Sequence, residues 1–199
     1  MTQTHLLAAA AAFAKPDHPA RNAGLVAGAL LPDAAIYILF AYTKIAGIPE
    51  TTLWRELYFA PGFQDWVAMG NSLFLWLALL VVGFLLLRVP SAFRIGLFVF
   101  FLALAALLHV ALDLPVHHDD AHRHLWPVSD WRFLSPVSYW DPAHHGRVLM
   151  WFEAALGVAL AIVLWRRFGS ATIRAVLAFA VIAYVAVPAY FTWRLGAPS

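Results

Sequence analysis

The chain has 199 residues, of which 63% are hydrophobic and only 12% are charged. Soluble domains contain roughly 45–50% apolar and about 25% charged residues, so this composition excludes an ordinary water-soluble globule. No cysteine is present, which excludes disulfides, thiolate metal sites and cysteine nucleophiles. The formal charge of +2 is spread along the chain without a dense basic block, so we expect no nucleic-acid partner.

Residues 1–20 are apolar and alanine-rich but too short to cross a bilayer, which predicts a short N-terminal helix lying at the membrane or dipping into it. Beyond it, five apolar stretches predict membrane-spanning helices, because a span needs about 20 mainly apolar residues. They are residues 22–42, 66–87, 95–112, 148–165 and 175–193. The chain is therefore predicted to be a single all-α, polytopic membrane domain over residues 1–199, with the bilayer as its surroundings.

Three spans lie within 22–112 and two within 147–193. Segment 43–65, between the first two, has the aromatic and charged mixture of an interfacial helix. The long stretch 113–146 is rich in His, Asp and Trp, and its prolines predict an ordered cover instead of a floppy linker. Lys and Arg are slightly more numerous in the short loops on the membrane side opposite segment 113–146. This favours a cytoplasmic location for those loops and a periplasmic or external location for 113–146.

Histidine and aspartate are concentrated in one part of the sequence. The histidines are His109, His117, His118, His122, His124, His144 and His145, and the aspartates are Asp113, Asp119, Asp120, Asp130 and Asp141. Imidazole and carboxylate are ligands of zinc and of harder divalent ions such as manganese. The stretch therefore predicts a divalent-metal site, with zinc as the first candidate and manganese as the second.

His109 and Asp113 are four residues apart on a predicted helix, which places both side chains on one face. Asp33 stands in the middle of a span at a cost of roughly 2.5–3.5 kcal/mol, so it needs a partner or a function. Pro32 loosens the helix beside it and lets the carboxylate turn inward. If these groups converge, the metal site lies within the bundle under the long loop.

Further candidates surround this set. His118 and His122 have helical i,i+4 spacing and form a second candidate pair of ligands. Glu153, inside the fourth span, is a candidate ligand or general base, and Asp120 is a second candidate for positioning a catalytic water.

Simpler interpretations stay open for each of these groups. His109 near a helix end can cap a carbonyl group, and Asp33 can form a salt bridge with an arginine of another helix. The loop histidines can be solvated, and the loop tryptophans can belong to the aromatic belt at the membrane surface.

Several motifs occur in a fixed order within the first 136 residues. They are Thr4-His5-Leu6-Leu7, Leu30-Leu31-Pro32-Asp33, Leu108-His109 with Asp113, Trp126-Pro127, and Trp131-Arg132-Phe133 with Pro136. This order resembles the LexA-regulated family of inner-membrane proteins assigned as metal-dependent hydrolases, whose metal fold is compared with zinc-dependent phospholipase C. The resemblance implies a bacterial-type inner (plasma) membrane location, and it implies the ligand set His5, Asp33, His109 and Asp113.

The resemblance also implies that the N-terminal helix folds back to the site, whereas the span topology places His5 on the opposite side of the membrane. One family motif is missing: His-Arg-Gly-x-Thr-His-Ser is replaced here by Trp66-Val67-Ala68-Met69-Gly70-Asn71-Ser72. Asn71 stands in place of the second histidine, and an amide oxygen binds zinc more weakly than imidazole. The resemblance therefore implies a divergent member, in which either the His/Asp loop supplies the missing imidazoles or the site is not catalytic.

The sequence leads to one principal hypothesis and two rivals. The first is a membrane-embedded hydrolase that acts on a phosphate-ester or lipid-like substrate through a metal-activated water. The second is a non-enzymatic metal-binding or structural membrane subunit. The third is a metal or proton transporter in which Asp33, His109 and Glu153 form a relay.

Overall fold

A computed structural model describes residues 2–196 and the side chains of residues 2–193. Within that range the protein is all-helical and has no strand, as predicted. The α-helices are α1 Thr2–Phe13, α2 Pro19–Leu30, α3 Ala34–Ile45, α4 Glu50–Thr52, α5 Pro61–Gly70, α6 Leu73–Leu86, α7 Phe93–Asp113, α8 Gly146–Arg167 and α9 Ala171–Gly196.

Five stretches are long and apolar enough to cross a membrane, which confirms the predicted number of spans. They are Pro19–Ile45, Pro61–Leu86, Pro90–Val116, Gly146–Arg167 and Ala171–Trp193. The second begins earlier than predicted and takes in Asp65, because Pro61 occupies the first turn of α5, where its missing N–H costs nothing. In the connection before it, α4 continues into a π-helical turn, Leu53–Leu57.

The first two spans are each broken at one point, and the two breaks lie side by side. A 3₁₀ turn, Leu31–Asp33, separates α2 from α3, and Asn71 and Ser72 separate α5 from α6. Gly70 approaches Pro32 so closely that a Cβ atom there would lie 2.4 Å from the Pro32 carbonyl oxygen. Broken helices are tolerated in membranes where protein covers the freed backbone groups. The breaks therefore point to a site between these helices.

Helix α7 forms the centre of the bundle, with α2 and α6 packed along it. The contact with α2 depends on Gly24 and Gly28, one turn apart on one face. A Cβ atom at Gly24 would lie 2.3 Å from the carbonyl oxygen of Phe98, and one at Gly28 would lie 1.9 Å from that of Leu102. Small residues at this spacing let two helix backbones touch, which brings the end of α2 close to α7.

Helix α1 packs inside the bundle against α2 and α8 and is not among the candidate spans, which agrees with the predicted short helix that dips into the membrane. Its Leu7 packs with Ala154 of α8 and Tyr184 of α9. At its C-terminal end, the Arg167 guanidinium donates hydrogen bonds to the carbonyl oxygens of Ala10 and Ala14, both at 3.1 Å. The Ala10 carbonyl also accepts from the Ala14 amide, so Arg167 adds a second donor there and provides a donor to the Ala14 carbonyl beyond the helix end.

The segment between α7 and α8 folds over the end of the bundle. The amide of Leu73, at the start of α6, donates to the carbonyl of His124, and within the segment the amide of Ser135 donates to the carbonyl of His117. Near its C-terminal end, the Tyr139 amide donates to the Val116 carbonyl. The segment is thus held against the point where α7 ends.

The close contact at Gly28 gives a test of this packing. We expect Gly28→Ala to destabilise the protein by about 1–3 kcal/mol, because the added methyl group forces α2 away from α7. Thermal unfolding of the purified protein in detergent measures the effect. Gly62→Ala is the matched control, since a Cβ atom there meets nothing within 4 Å. Equal melting temperatures for the two variants would contradict the packing described here.

Candidate metal centre

Asp113, the last residue of α7, lies buried at the centre of a group of imidazole rings. Nε2 of His5 is 2.9 Å from its Oδ1, and Nε2 of His109 is 2.9 Å from its Oδ2. Nε2 of His117 lies 3.7 Å from Oδ1. Three side chains from α1, α7 and the start of the long loop therefore present nitrogen atoms to one carboxylate.

These short separations are not all hydrogen bonds. Among the described residues, Asp113 Oδ1 and His109 Nε2 are fully buried and have no hydrogen-bond partner. Buried polar atoms are nearly always satisfied in folded proteins. Nitrogen and oxygen ligands lie about 2.0–2.2 Å from a zinc ion, so two donors of one ion are on the order of 3 Å apart, close to the distances found here. The donor set therefore fits a divalent cation.

The described residues contain two groups of three metal-binding side chains that share Asp113. The first triad is His5, His109 and Asp113, and the second triad is Asp113, His117 and His122. Within each triad the donor atoms lie within 4.8 Å of one another, and all of these side chains are buried. A carboxylate offers two oxygen atoms, so Asp113 can serve both triads.

Groups behind the rings fix which nitrogen atom faces the centre. His109 Nδ1 lies 2.9 Å from the carbonyl oxygen of Ala29, which leaves Nε2 directed at Asp113. Asp120 stands behind His117, with its Oδ2 2.9 Å from Nδ1 of that ring. A carbonyl or carboxylate in this position is the usual support of a metal-binding histidine. The Ala29 carbonyl occupies this position at His109, and Asp120 lies next to His117 at the edge of the site, where Nδ1 of His117 has no hydrogen-bond partner among the described residues.

Asp33 lies at the margin of the first triad. Its Oδ1 is 3.6 Å from Nε2 of His109, and its Oδ2 accepts a hydrogen bond from the Tyr37 hydroxyl at 3.1 Å. The 3₁₀ turn at Pro32 directs the carboxylate into the bundle, as the sequence indicated. The four residues implied by the family resemblance are thus brought together.

His5 reaches the same group of side chains. Its ring stacks on that of His109 with 3.8 Å between centroids. Its predicted place on the other side of the membrane is wrong, because α1 enters the bundle beside α2 and α8.

The two loop histidines of the second triad differ in charge preference. Burial lowers the pKa of His122 to about 3, so this ring is neutral and has a lone pair for a cation. Burial also opposes charge on His117, but the carboxylates of Asp113 and Asp120 outweigh that effect and raise its pKa to about 9. The carboxylates therefore favour a positive charge at this position.

His118 belongs to neither triad. Its Nδ1 lies 2.7 Å from the carbonyl oxygen of Ser135, and its ring stacks on His144 at 3.8 Å between centroids. The helical spacing that paired it with His122 does not apply, because the backbone at His117 is extended. Successive side chains of an extended backbone point to opposite sides. His117 therefore faces the centre and His118 faces away from it.

Glu153 is also in neither triad. The Thr4 hydroxyl donates to its Oε1 at 2.5 Å, and the same hydroxyl lies 2.6 Å from the Tyr184 hydroxyl. Thr4 directly precedes His5 on α1, so this contact fixes the part of α1 that carries a donor of the first triad. The structure thus places Glu153 as an anchor of α1, where the sequence predicted a ligand or general base.

His117 is the site residue that the sequence reasoning passed over in favour of His118. The signal was present: His109, Asp113 and His117 follow one another at intervals of four, and the short 3₁₀ helix Leu114–Val116 continues α7 between the last two. Extending the predicted helix by one turn places all three on one face.

Asn71 is fully buried in the break between α5 and α6. Its side-chain amide donates to the Val67 carbonyl at 3.0 Å, and its backbone carbonyl lies 3.2 Å from Nδ1 of His124. His124 of the long loop therefore contacts Asn71, the position at which the family named above carries a histidine.

A cavity of about 720 Å³ opens onto the two triads. Its polar floor includes His5, Asp33, Asp113, His117, Asp120 and His122. Its walls are largely aromatic and apolar, with Ile36, Tyr37, Trp54, Tyr58, Phe59 and Trp140 among them. The candidate metal centre is therefore accessible to a small molecule.

No family model, no curated protein and no solved structure matches this chain.

The Thr4 hydroxyl gives a test of how α1 positions His5. We expect Thr4→Val to lower stability by about 1–3 kcal/mol, because it removes a buried hydrogen bond from Glu153. We also expect divalent-metal affinity to fall by about tenfold, as for other groups that position a ligand.

Melting temperature and metal titration measure these two effects, and Thr4→Ser, which keeps the hydroxyl, should restore both. Thr51→Val, at an exposed position, is the matched control. Unchanged metal affinity in Thr4→Val would contradict the positioning role.

Proposed function

We propose that the protein is a membrane-embedded, metal-dependent hydrolase acting on a phosphate-ester or lipid-like substrate. The observation that supports this proposal most strongly is the pair of triads sharing Asp113 at the floor of a cavity. A purely structural metal site has all positions closed by protein ligands, whereas a catalytic one keeps a position open to substrate. The cavity of about 720 Å³ provides such access.

Each side chain has a distinct part in this proposal. A divalent cation bound here would lower the pKa of a coordinated water toward 7 and stabilise charge that develops on an ester oxygen. His5, His109, His117, His122 and Asp113 hold the cations. Asp120 orients His117, and Asp33 lies where it can accept a proton from a water in the cavity, because its carboxylate borders both the floor and the first triad.

The donor chemistry also supports a metal assignment within this proposal. Four imidazoles and one shared carboxylate form a nitrogen-rich set, which favours zinc over magnesium or calcium, with manganese as the second candidate. The proposal includes that this chain is a divergent member of the LexA-regulated inner-membrane family. The loop imidazoles of His117 and His122 would then replace those missing around Asn71, and the loop would face the periplasm.

Metal content and turnover test the proposal together. We expect purified protein to hold zinc or manganese and to hydrolyse a chromogenic phosphodiester such as bis(4-nitrophenyl) phosphate. His109→Ala should lose the cation of the first triad and Asp113→Ala the cations of both triads, and each variant should lose at least 100-fold in kcat/KM, because removing ligands removes the nucleophile and its activation. His18→Ala, an exposed histidine outside the centre, is the control. Wild-type protein without bound metal would refute the proposal.

The sharing of Asp113 gives a second, quantitative expectation. Because the two triads share this carboxylate and have different imidazoles, we expect two cations per chain in the wild type. His109→Ala should keep the cation of the second triad, His122→Ala should keep that of the first triad, and Asp113→Ala should lose both. Elemental analysis of matched preparations counts the ions. A single ion in the wild type that disappears in both histidine variants would contradict the two-site arrangement.

A non-enzymatic structural role is the second candidate, and one observation favours it. The triads take donors from α1, α7 and the long loop, so a bound cation would also tie these three parts together. Under this alternative, removing metal with a chelator lowers the melting temperature, while the metal-loaded protein hydrolyses no ester. Turnover that is lost in His109→Ala and retained in His18→Ala excludes it.

A further inference from the structure

The cavity above the metal centre joins two kinds of surface. Its floor carries four carboxylates, from Asp33, Asp113, Asp119 and Asp120, with the histidines of the two triads. Its walls carry aromatic rings and the side chain of Ile36. A ligand that fits both surfaces has one charged end and one apolar end. The aromatic rings accommodate a polar group poorly, and the carboxylates accommodate an alkyl chain poorly.

The charge balance indicates which headgroup the cavity accepts. Divalent cations at the two triads would cancel the charge of the four carboxylates, so a further basic side chain leaves the cavity positive. Arg55 is the one arginine or lysine among the described residues that line the cavity. A guanidinium matches the oxygen atoms of a carboxylate or a phosphate group in charge and geometry. Of these two anions, the proposed hydrolysis of a phosphate ester selects the phosphate as the charged end of the ligand.

The position of the mouth indicates where the ligand comes from. Asp113 lies close to the end of the apolar stretch Pro90–Val116, and the chain re-enters an apolar stretch at Gly146. The segment that carries Trp54 and Phe59 likewise connects two apolar stretches, ending at Ile45 and beginning at Pro61. Metal centre and mouth therefore lie at one boundary of the bilayer.

The rim of the mouth is aromatic and uncovered. Trp54, Phe59 and Trp140 line the cavity and are 42%, 44% and 53% exposed. Aromatic rings of this kind are typical of the membrane surface, where headgroups meet alkyl chains. The mouth thus opens at the depth at which the phosphate and first methylene groups of a lipid are found.

We propose that the substrate is a membrane-resident amphiphile, a lipid phosphodiester whose phosphate binds between Arg55 and the triads while its alkyl chain lies along Trp54 and Phe59. This inference rests on the proposed function and specifies its substrate class. The reaction is a hydrolysis: water adds to phosphorus, one P–O bond breaks, and the departing alcohol takes up a proton. Hydrolysis needs no oxidant or reductant.

A pair of chromogenic substrates tests the inference. The two probes are 4-nitrophenyl phosphodiesters whose second alcohol is methyl or hexadecyl, assayed with the full-length, metal-loaded protein in nanodiscs of phosphatidylcholine. We expect kcat/KM for the hexadecyl ester to exceed that for the methyl ester by at least about tenfold, because the chain adds apolar contacts. Trp54→Ala and Phe59→Ala should each remove most of this preference, measured as the ratio of kcat/KM for the two esters.

A binding measurement gives a readout that does not require turnover. The probes are hexadecyl phosphonate and methyl phosphonate, titrated into the same nanodiscs by calorimetry, with empty nanodiscs as the blank for partitioning. We expect Arg55→Gln to weaken hexadecyl phosphonate binding by about tenfold, because a charge-assisted contact is lost. Arg88→Gln is the matched control, since Arg88 packs over Phe84. Arg55→Lys should retain part of the affinity.

The outcomes separate this inference from the function on which it rests. Hydrolysis of both esters at equal efficiency supports the proposed metal-dependent hydrolase and overturns the inference that its substrate is an amphiphile. If neither ester is hydrolysed, the proposed function fails for phosphodiesters, and the binding arm decides the inference. Specific binding of hexadecyl phosphonate that weakens in Arg55→Gln supports the amphiphile site, and equal binding of the two phosphonates overturns it.

Discussion

The structure depends on how the buried carboxylate of Asp113 is compensated. A carboxylate taken out of water costs several kcal/mol unless opposite charge or hydrogen bonds replace its hydration. Here nitrogen atoms of His5, His109 and His117 replace the hydration. His5 lies on α1, which does not span the membrane, His109 lies on the spanning helix α7, and His117 lies in the long loop. None of these elements alone encloses the carboxylate. The packing of α1, α7 and the long loop against one another therefore depends on the groups that neutralise the charge of Asp113.

Contacts elsewhere in the bundle bring the helices that carry these side chains close to Asp113. Gly24 and Gly28 let α2 touch α7, which brings the 3₁₀ turn and Asp33 beside His109. Arg167 holds one end of α1 and the Thr4 contact with Glu153 holds the other. Glu153 is a carboxylate inside a membrane helix, where such a group needs a partner. Its contact here is with a hydroxyl group that steadies the helix carrying His5.

The composition and the apolar stretches predicted the all-α membrane fold and its five spans, because length and hydropathy are local properties of the chain. The spacing of His109 and Asp113 predicted their common face for the same reason. The position of His5 could not be derived from spans, since a twelve-residue helix enters the bundle through packing against α2 and α8. Helical spacing paired His118 with His122, whereas the backbone is extended at His117 and the second triad contains His117 and His122. Loop geometry is set by tertiary hydrogen bonds, which periodicity does not reveal.

The long loop connects the helix break at Asn71 to the candidate metal centre. The backbone carbonyl of Asn71 contacts His124, and that residue belongs to the same loop as His117 and His122. The loop is thus fastened at the broken helix and brings two imidazoles close to Asp113. A cation responds only to the identity, number and position of its ligands, so a loop can supply nitrogen donors as well as a helix can. The same loop forms the wall of the cavity at Tyr139 and Trp140, so its position affects both the donors and the access to them.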